Sequence, residues 1–253
     1  MRAAAYQRGA LDDSVNVIHK VNVVHETARV RRREAKAERI LDAAEGILER
    51  EGHEALTMQR LAAELELTVG AAYRYFASKD AIVAALQRRV FEGLAADLER
   101  AIAEYEAAHP RASRVGALSR VCVVARVYAT LPERRPTHAR LLSRMMGEPR
   151  NVLPEGFGEA NAQVAMTLAG SGVRELASAR EAGALGAGDD LERAILLWTS
   201  LTGLAQAKKL ERWGVPGLDV DALTERLVVT LLVGWGAEPA RAREALARAA
   251  EIV

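Results

Sequence analysis

At 253 residues, half of them apolar and about a quarter charged, the chain has the composition of a globular protein that can bury a sizeable core, as one large domain or two modest ones. Its formal net charge of +1 excludes any argument for a polyanionic partner from overall charge, and its single cysteine, Cys122, excludes an intrachain disulfide and fits a reducing cytoplasm. The start MRAAAYQRGALDD lacks the apolar core of a signal peptide, and the most apolar stretch, LVVTLLVGWGA at 227–237, is far shorter than the ~20 residues that span a bilayer.

Ala, Leu, Arg and Glu dominate, all good helix formers, and period-2 alternation is scarce, so an all-α fold is expected. Residues 1–28 show no clear helical period and read as an extension, either disordered or folded as a short helix on the body. A basic run follows: from Arg29 to Arg39, six basic residues, Arg32 and Arg33 among them, stand against Glu34 and Glu38. A first helix is predicted over 33–50, with Ile40, Leu41, Ala44, Ile47 and Leu48 on one face. Gly52 suits its C-terminal end. Thr57 caps a second helix over 57–65, with Met58, Leu61, Ala62 and Leu65 inward. Thr68 caps a third over 68–76. Ser78 caps a fourth over 78–109, striped by Ile82, Val83, Leu86, Val90 and Leu94. Longer helices are predicted at 112–131, 136–147, 155–181, 190–213, 219–234 and 238–251, with Asp189 and Glu192 spaced as a capping box.

The two short helices, joined by about two residues, have helix-turn-helix spacing. The small Ala62 accommodates a steep crossing, and Phe76 is expected inward as core. The chain has few aromatics, yet Tyr73, Tyr75 and Phe76 fall within four positions. Tyr73 can lay its ring on the domain and aim its hydroxyl at a phosphate. Arg74 faces solvent beside it. Lys79 sits in the first turn of a helix, where a cation opposes the macrodipole and gains little unless an anion docks there. Gly70 and Ala71 are small enough for the front of the third helix to approach a DNA groove, where base edges are read. Residues 29–89 carry 12 basic and 10 acidic side chains, so the electrostatic argument rests on placement.

Residues 36–86, KAERILDAAEGILEREGHEALTMQRLAAELELTVGAAYRYFASKDAIVAAL, resemble the N-terminal domain of the tetracycline-repressor (TetR) family of bacterial transcriptional regulators. The most specific part is aromatic-x-aromatic-Phe followed by Ser-Lys-Asp and an apolar helix. The resemblance implies a three-helix helix-turn-helix DNA-binding domain at 29–85, and a larger helical effector-binding and dimerisation domain at 86–253. Helix 78–109 links the two. It implies that Thr57 is a phosphate-contacting cap, that Thr68, Val69, Gly70, Ala71, Tyr73 and Arg74 lie on the recognition helix, and that Tyr73 and Lys79 contact the DNA backbone. Two positions depart from the family pattern. Glu66 stands where the turn often holds glycine, so a left-handed backbone there would cost roughly 1 kcal/mol. Ala72 replaces a larger aliphatic.

The resemblance further implies a cytoplasmic homodimer that binds a palindromic operator as a ligand-responsive repressor, with no cofactor and no membrane partner. Leu197, Leu201 and Leu204 on the helix from 190, with Leu227 and Leu231 on the helix from 219, are the expected dimer face; the alternative is intramolecular core. Tyr128, Met145, Met146, Phe157, Asn161, Trp198 and Thr202 are the expected effector pocket. An enzyme is disfavoured: the five histidines are scattered and none pairs with a carboxylate at metal-ligand spacing, while GFGEAN and GALGAG follow no strand. The other rival is a helical interaction protein that kept the fold without sequence-specific DNA binding.

Overall fold

The computed structural model describes residues 29–109, 113–147 and 157–252, with the backbone alone for 144–147, 157–168, 209 and 212; all regular structure in these residues is helical. The extension expected at 1–28 lies outside the described residues. The chain divides into two units, 1–82 and 83–253.

The first unit starts with α1, residues 29–51. Its five stripe residues, Ile40, Leu41, Ala44, Ile47 and Leu48, are all buried. The helix stops at Gly52, whose N–H still bonds the Leu48 carbonyl at 3.2 Å and whose φ of 86° turns the following chain out of the helix. Helix α2, Met58–Glu64, is capped by Thr57, whose hydroxyl accepts the Arg60 N–H at 3.0 Å. Leu56, just before the cap, and Leu61, four residues into the helix, are both buried, the pattern of a hydrophobic staple. Helix α2 ends in a Schellman motif: the Leu67 N–H bonds the Ala62 carbonyl at 2.8 Å and the Glu66 N–H bonds that of Ala63 at 3.2 Å. The left-handed residue of the motif is Glu66, φ 54°, the one described non-glycine residue with positive φ. The expected strain is therefore present, and two hydrogen bonds offset it.

Helix α3, Val69–Tyr73, is shorter than predicted. Thr68 caps it, accepting the Ala71 N–H at 3.2 Å. Ala62 on α2 and Ala72 on α3 are both buried, as a close crossing of two short helices requires. Ser78 then accepts the Ala81 N–H at 3.1 Å and opens α4, Lys79–Ala108.

In the second unit the central element is α5, Arg114–Ala129. Ten of its residues, including the whole run Gly116–Val123, are buried, so it is enclosed on all sides rather than amphipathic. It packs against α8 (Phe157–Glu181), α9 (Asp190–Arg212), α10 (Val220–Gly234) and α11 (Pro239–Ala249). Helix α11 meets it through Ala242, Ala245 and Ala249, all at zero exposure, because only small side chains allow so close an approach. Leu131–Pro132, expected to end a helix, instead begins the single turn α6, Leu131–Arg134; proline is tolerated in a first turn because its missing N–H is not needed there. Helix α7 follows at Pro136–Gly147. Asp189 caps α9 by accepting from Leu191 and Glu192 N–H at 2.8 and 3.1 Å. The loops before α9 and α11 touch: Gly186 donates to the Trp235 carbonyl at 2.8 Å, and a Cβ on Gly236 would lie 3.0 Å from the Gly186 nitrogen.

The most enclosed charged side chain of this core is an arginine. Arg120 on α5, 1% exposed, bonds Glu175 on α8 and Ser178, each at 2.6 Å. Cys122, also fully buried, has its thiol pushed up to about 12 by desolvation, so it is an inert apolar filler.

Candidate functional site

The caps and the turn fix which side chains of α3 face water. Tyr73 is 50% exposed, an unusual state for an aromatic ring. Thr57, Thr68, Gly70 and Arg74 are exposed around it and Val69 is half-buried. Beyond its chain neighbours and its own helix backbone, nothing lies within 4 Å of where a Cβ on Gly70 would sit, so the front of α3 is open. Arg32 and Arg33 are exposed near the start of α1. Arg50 and Arg60 are engaged elsewhere. Arg60 pairs with Glu51 and Glu64 at 2.6 and 2.8 Å, and Arg50 with Glu64 at 2.7 Å. The Arg60 hydrogen bonds hold both carboxyls below the usual carboxylate range.

Two expectations for this face need correction, and a third side chain has an additional partner. Ala71 is turned into the domain, 8% exposed, because it shares the α3 face of Ala72; its methyl does not point to a groove. Phe76, expected as core, is only half-buried. Lys79 is half-buried, and its ammonium folds back to donate to the His53 carbonyl at 2.8 Å. That bond ties the start of α4 to the α1–α2 connection and leaves two of the three ammonium donors for a partner.

The second unit contains an apolar cavity of about 290 Å³. Phe91 and Leu98 of α4, Val121, Val124 and Tyr128 of α5, Gly172 and Leu176 of α8, and Leu191, Leu197, Trp198 and Leu201 of α9 line it. Of the expected pocket residues, Tyr128, Trp198 and Thr202 are brought together. The Trp198 Nε1–H donates to the Tyr128 hydroxyl at 2.6 Å, which lies 3.0 Å from the Thr202 hydroxyl. The side chains of Met145, Met146, Phe157 and Asn161 lie outside the described residues. Tyr128 and Thr202 also border a second, more polar cavity of about 290 Å³ that reaches Arg140 and Gln206.

Leu197 and Leu201 are corrected by the same cavity. Both are buried in its wall and cannot form a dimer face. Leu204, Leu227 and Leu231 are half-buried, and Leu196 is 43% exposed. Helix α9 is apolar on more than one side, so leucine spacing alone did not separate its two faces. Phe91 and Leu98 were missed, although Leu98 continues the α4 stripe one turn beyond Leu94.

Among the described residues no group of His, Cys, Asp and Glu could hold a metal ion, and no helix is long and apolar enough to cross a membrane.

Residues 40–86 match the model of bacterial regulatory proteins of the tetR family. The fold is similar to that of a protein of unknown function from Rhodococcus sp. RHA1, at TM-score 0.63 and 23% identity over 79% of this chain and 94% of that one. It is also similar to a bacterial regulatory protein in the tetR family from Rhodococcus RHA1, at TM-score 0.56 and 18% identity over 80% and 97%. A third similar structure is that of RolR in complex with the ligand resorcinol, at TM-score 0.61 and 16% identity over 87% and 96%. No curated protein matches the chain. The matched segment coincides with the capped helix-turn-helix, so the N-terminal unit carries the DNA-binding domain of bacterial regulatory proteins of the tetR family, and the all-helical fold of the whole chain is similar to that of such regulators.

Proposed function

We propose that the protein is a homodimeric repressor that binds a palindromic operator and releases it when a small molecule fills the α4–α5–α8–α9 cavity. The observation that carries the DNA half is the open α3 face, with Tyr73 half-exposed between Thr68 and Arg74. In this reading Val69 and Gly70 meet base edges. Thr57, Thr68, Tyr73, Arg74 and Lys79 contact phosphates, and Arg32 and Arg33 add charge near the backbone. Ala71 acts from behind, by setting how closely α3 seats on its own domain.

The effector half is supported by a cavity of ligand size with few polar groups. Helix α4 runs unbroken from Lys79 to Ala108 and supplies Phe91 and Leu98 to the wall. A ligand that displaces those two side chains acts on the helix that begins at the DNA-binding unit. It releases the operator only if it binds better to the conformation that fits DNA poorly. Dimerisation is supported by the outer face of α9 and α10. Leu196, Leu204, Leu227 and Leu231 are at least partly exposed there, and the open space at Gly203 and Gly234 lets another helix approach closely. Two-fold symmetry would set two copies of α3 one DNA turn apart, ~34–36 Å.

Selection of bound fragments from random duplex DNA at low salt, followed by sequencing, tests the proposal. Enrichment of a palindrome, with affinity falling steeply as salt rises, is the expected result. Absence of any enriched sequence would favour a helical interaction protein that keeps the fold without reading DNA.

A further inference from the structure

The hydrogen-bond directions around Tyr128 limit what the cavity can hold. The Thr202 hydroxyl donates to the Trp198 carbonyl at 2.8 Å. Its oxygen therefore accepts the Tyr128 proton across 3.0 Å, and the Tyr128 oxygen accepts the Trp198 Nε1–H at 2.6 Å. Every N–H and O–H of the triad is engaged within the triad. The walls are helix sides, whose backbone N–H groups are bonded along their own helices. Tyr128 and Trp198 are the only side chains with a polar group among the described lining residues, and none of those residues is charged. A carboxylate, phosphate or ketone entering here finds no free donor among the described lining residues. An ammonium finds no counter-charge among those residues, only the remaining lone pair of Tyr128. Burying an unpaired ion costs several kcal/mol even after relaxation. Desolvation also pushes the Tyr128 phenol up, so it offers no phenolate to a cation.

We infer that the cavity selects uncharged, hydrocarbon-rich molecules, such as alkylbenzenes or alicyclic hydrocarbons, tolerates at most one hydroxyl placed to donate to Tyr128, and rejects anions and cations of the same shape. This inference rests on the effector reading of the cavity and names its ligand class. The volume of about 290 Å³ lies at the lower end of small-molecule pockets, which favours a single ring with a short chain over a long acyl group.

Four probes of matched shape test it: propylbenzene, para-propylphenol, para-propylbenzoate and para-propylbenzylammonium. The chain has three tryptophans, Trp198, Trp213 and Trp235, so a full-length variant with Trp213→Phe and Trp235→Phe reports from Trp198 in the wall. Titration at neutral pH should show propylbenzene and para-propylphenol binding at least tenfold tighter than either ion. Calorimetry on the unmodified chain should give the same order. Gly172→Leu, whose Cβ would stand 3.9 Å from that of Ala194 at the wall, should weaken propylbenzene at least tenfold, and Ala169→Leu on the same wall is a second filling variant. Retained helicity by circular dichroism checks that both fold. Equal or tighter binding of the benzoate or the ammonium overturns the inference and leaves the pocket standing. If none of the four binds, both the inference and the effector reading fall. Operator release is scored separately: neutral probes that bind without releasing the operator support the ligand class and overturn the regulatory role.

Discussion

The DNA-binding unit and the cavity use similar residue types in opposite ways. In the first unit, function lies on a surface, and short-range devices determine which side chains reach it: hydroxyl caps at Thr57, Thr68 and Ser78 and a left-handed turn at Glu66. In the second, the proposed effector site lies in an interior, and long-range packing decides. Tyr128, Trp198 and Thr202 meet across 70 or more residues of sequence. A tyrosine turned outward and a tyrosine turned inward thus do different work. Tyr73 is half-exposed, as its proposed phosphate contact requires, whereas Tyr128 has its hydroxyl engaged by its neighbours.

The contrast can be tested first where the second unit is most committed. Arg120→Met leaves the buried Glu175 with only the exposed Arg174 guanidinium, at 3.6 Å, and should cost about 3 kcal/mol in urea denaturation. Adding Glu175→Leu should recover most of that loss. A small effect of the single change would mean that the interior is not organised around this pair.

A smaller effect is expected at Lys79, where the first unit departs from purely outward function. Lys79→Ala should weaken DNA binding on all sequences and also lower stability by about 1 kcal/mol, the worth of its bond to the His53 carbonyl. Lys79→Arg tests whether charge without that geometry suffices for DNA. Loss of affinity with no change in stability would show that the ammonium leaves His53 in solution.

The smallest effect is expected at the turn. Glu66→Gly removes left-handed strain worth about 1–2 kcal/mol but gives the unfolded chain more freedom, so a net stabilisation below about 1 kcal/mol should appear in thermal unfolding. Destabilisation would mean that the Glu66 side chain contributes more than its backbone costs.

Much of the first unit was legible because its determinants are local. The α1 stripe, the caps Thr57, Thr68 and Ser78, and the strain at Glu66 each depend on residues a few positions apart. The Lys79–His53 bond was not legible, since a backbone carbonyl 26 residues away leaves no mark in the sequence. In the second unit, Asp189 was readable as a cap for the same local reason. Leu197 and Leu201 were not assignable, because α9 is apolar both toward the cavity and on its outer side, and only the packed structure separates Leu197 from Leu196. Arg120 gave no signal at all: an arginine inside an apolar run looks like a helix surface until Glu175 is placed beside it.

The central claim is that α3 presents a DNA-reading face in which Val69 selects bases and Tyr73 grips phosphate. It is tested most directly by measuring affinity for the selected operator and for its single-base variants, comparing the natural chain with Tyr73→Phe and Val69→Thr. The expected result is a loss for Tyr73→Phe that is similar on every sequence, roughly several-fold as for one hydrogen bond to a charged group, and a changed base preference for Val69→Thr. Unchanged affinity for Tyr73→Phe together with unchanged preference for Val69→Thr would contradict it.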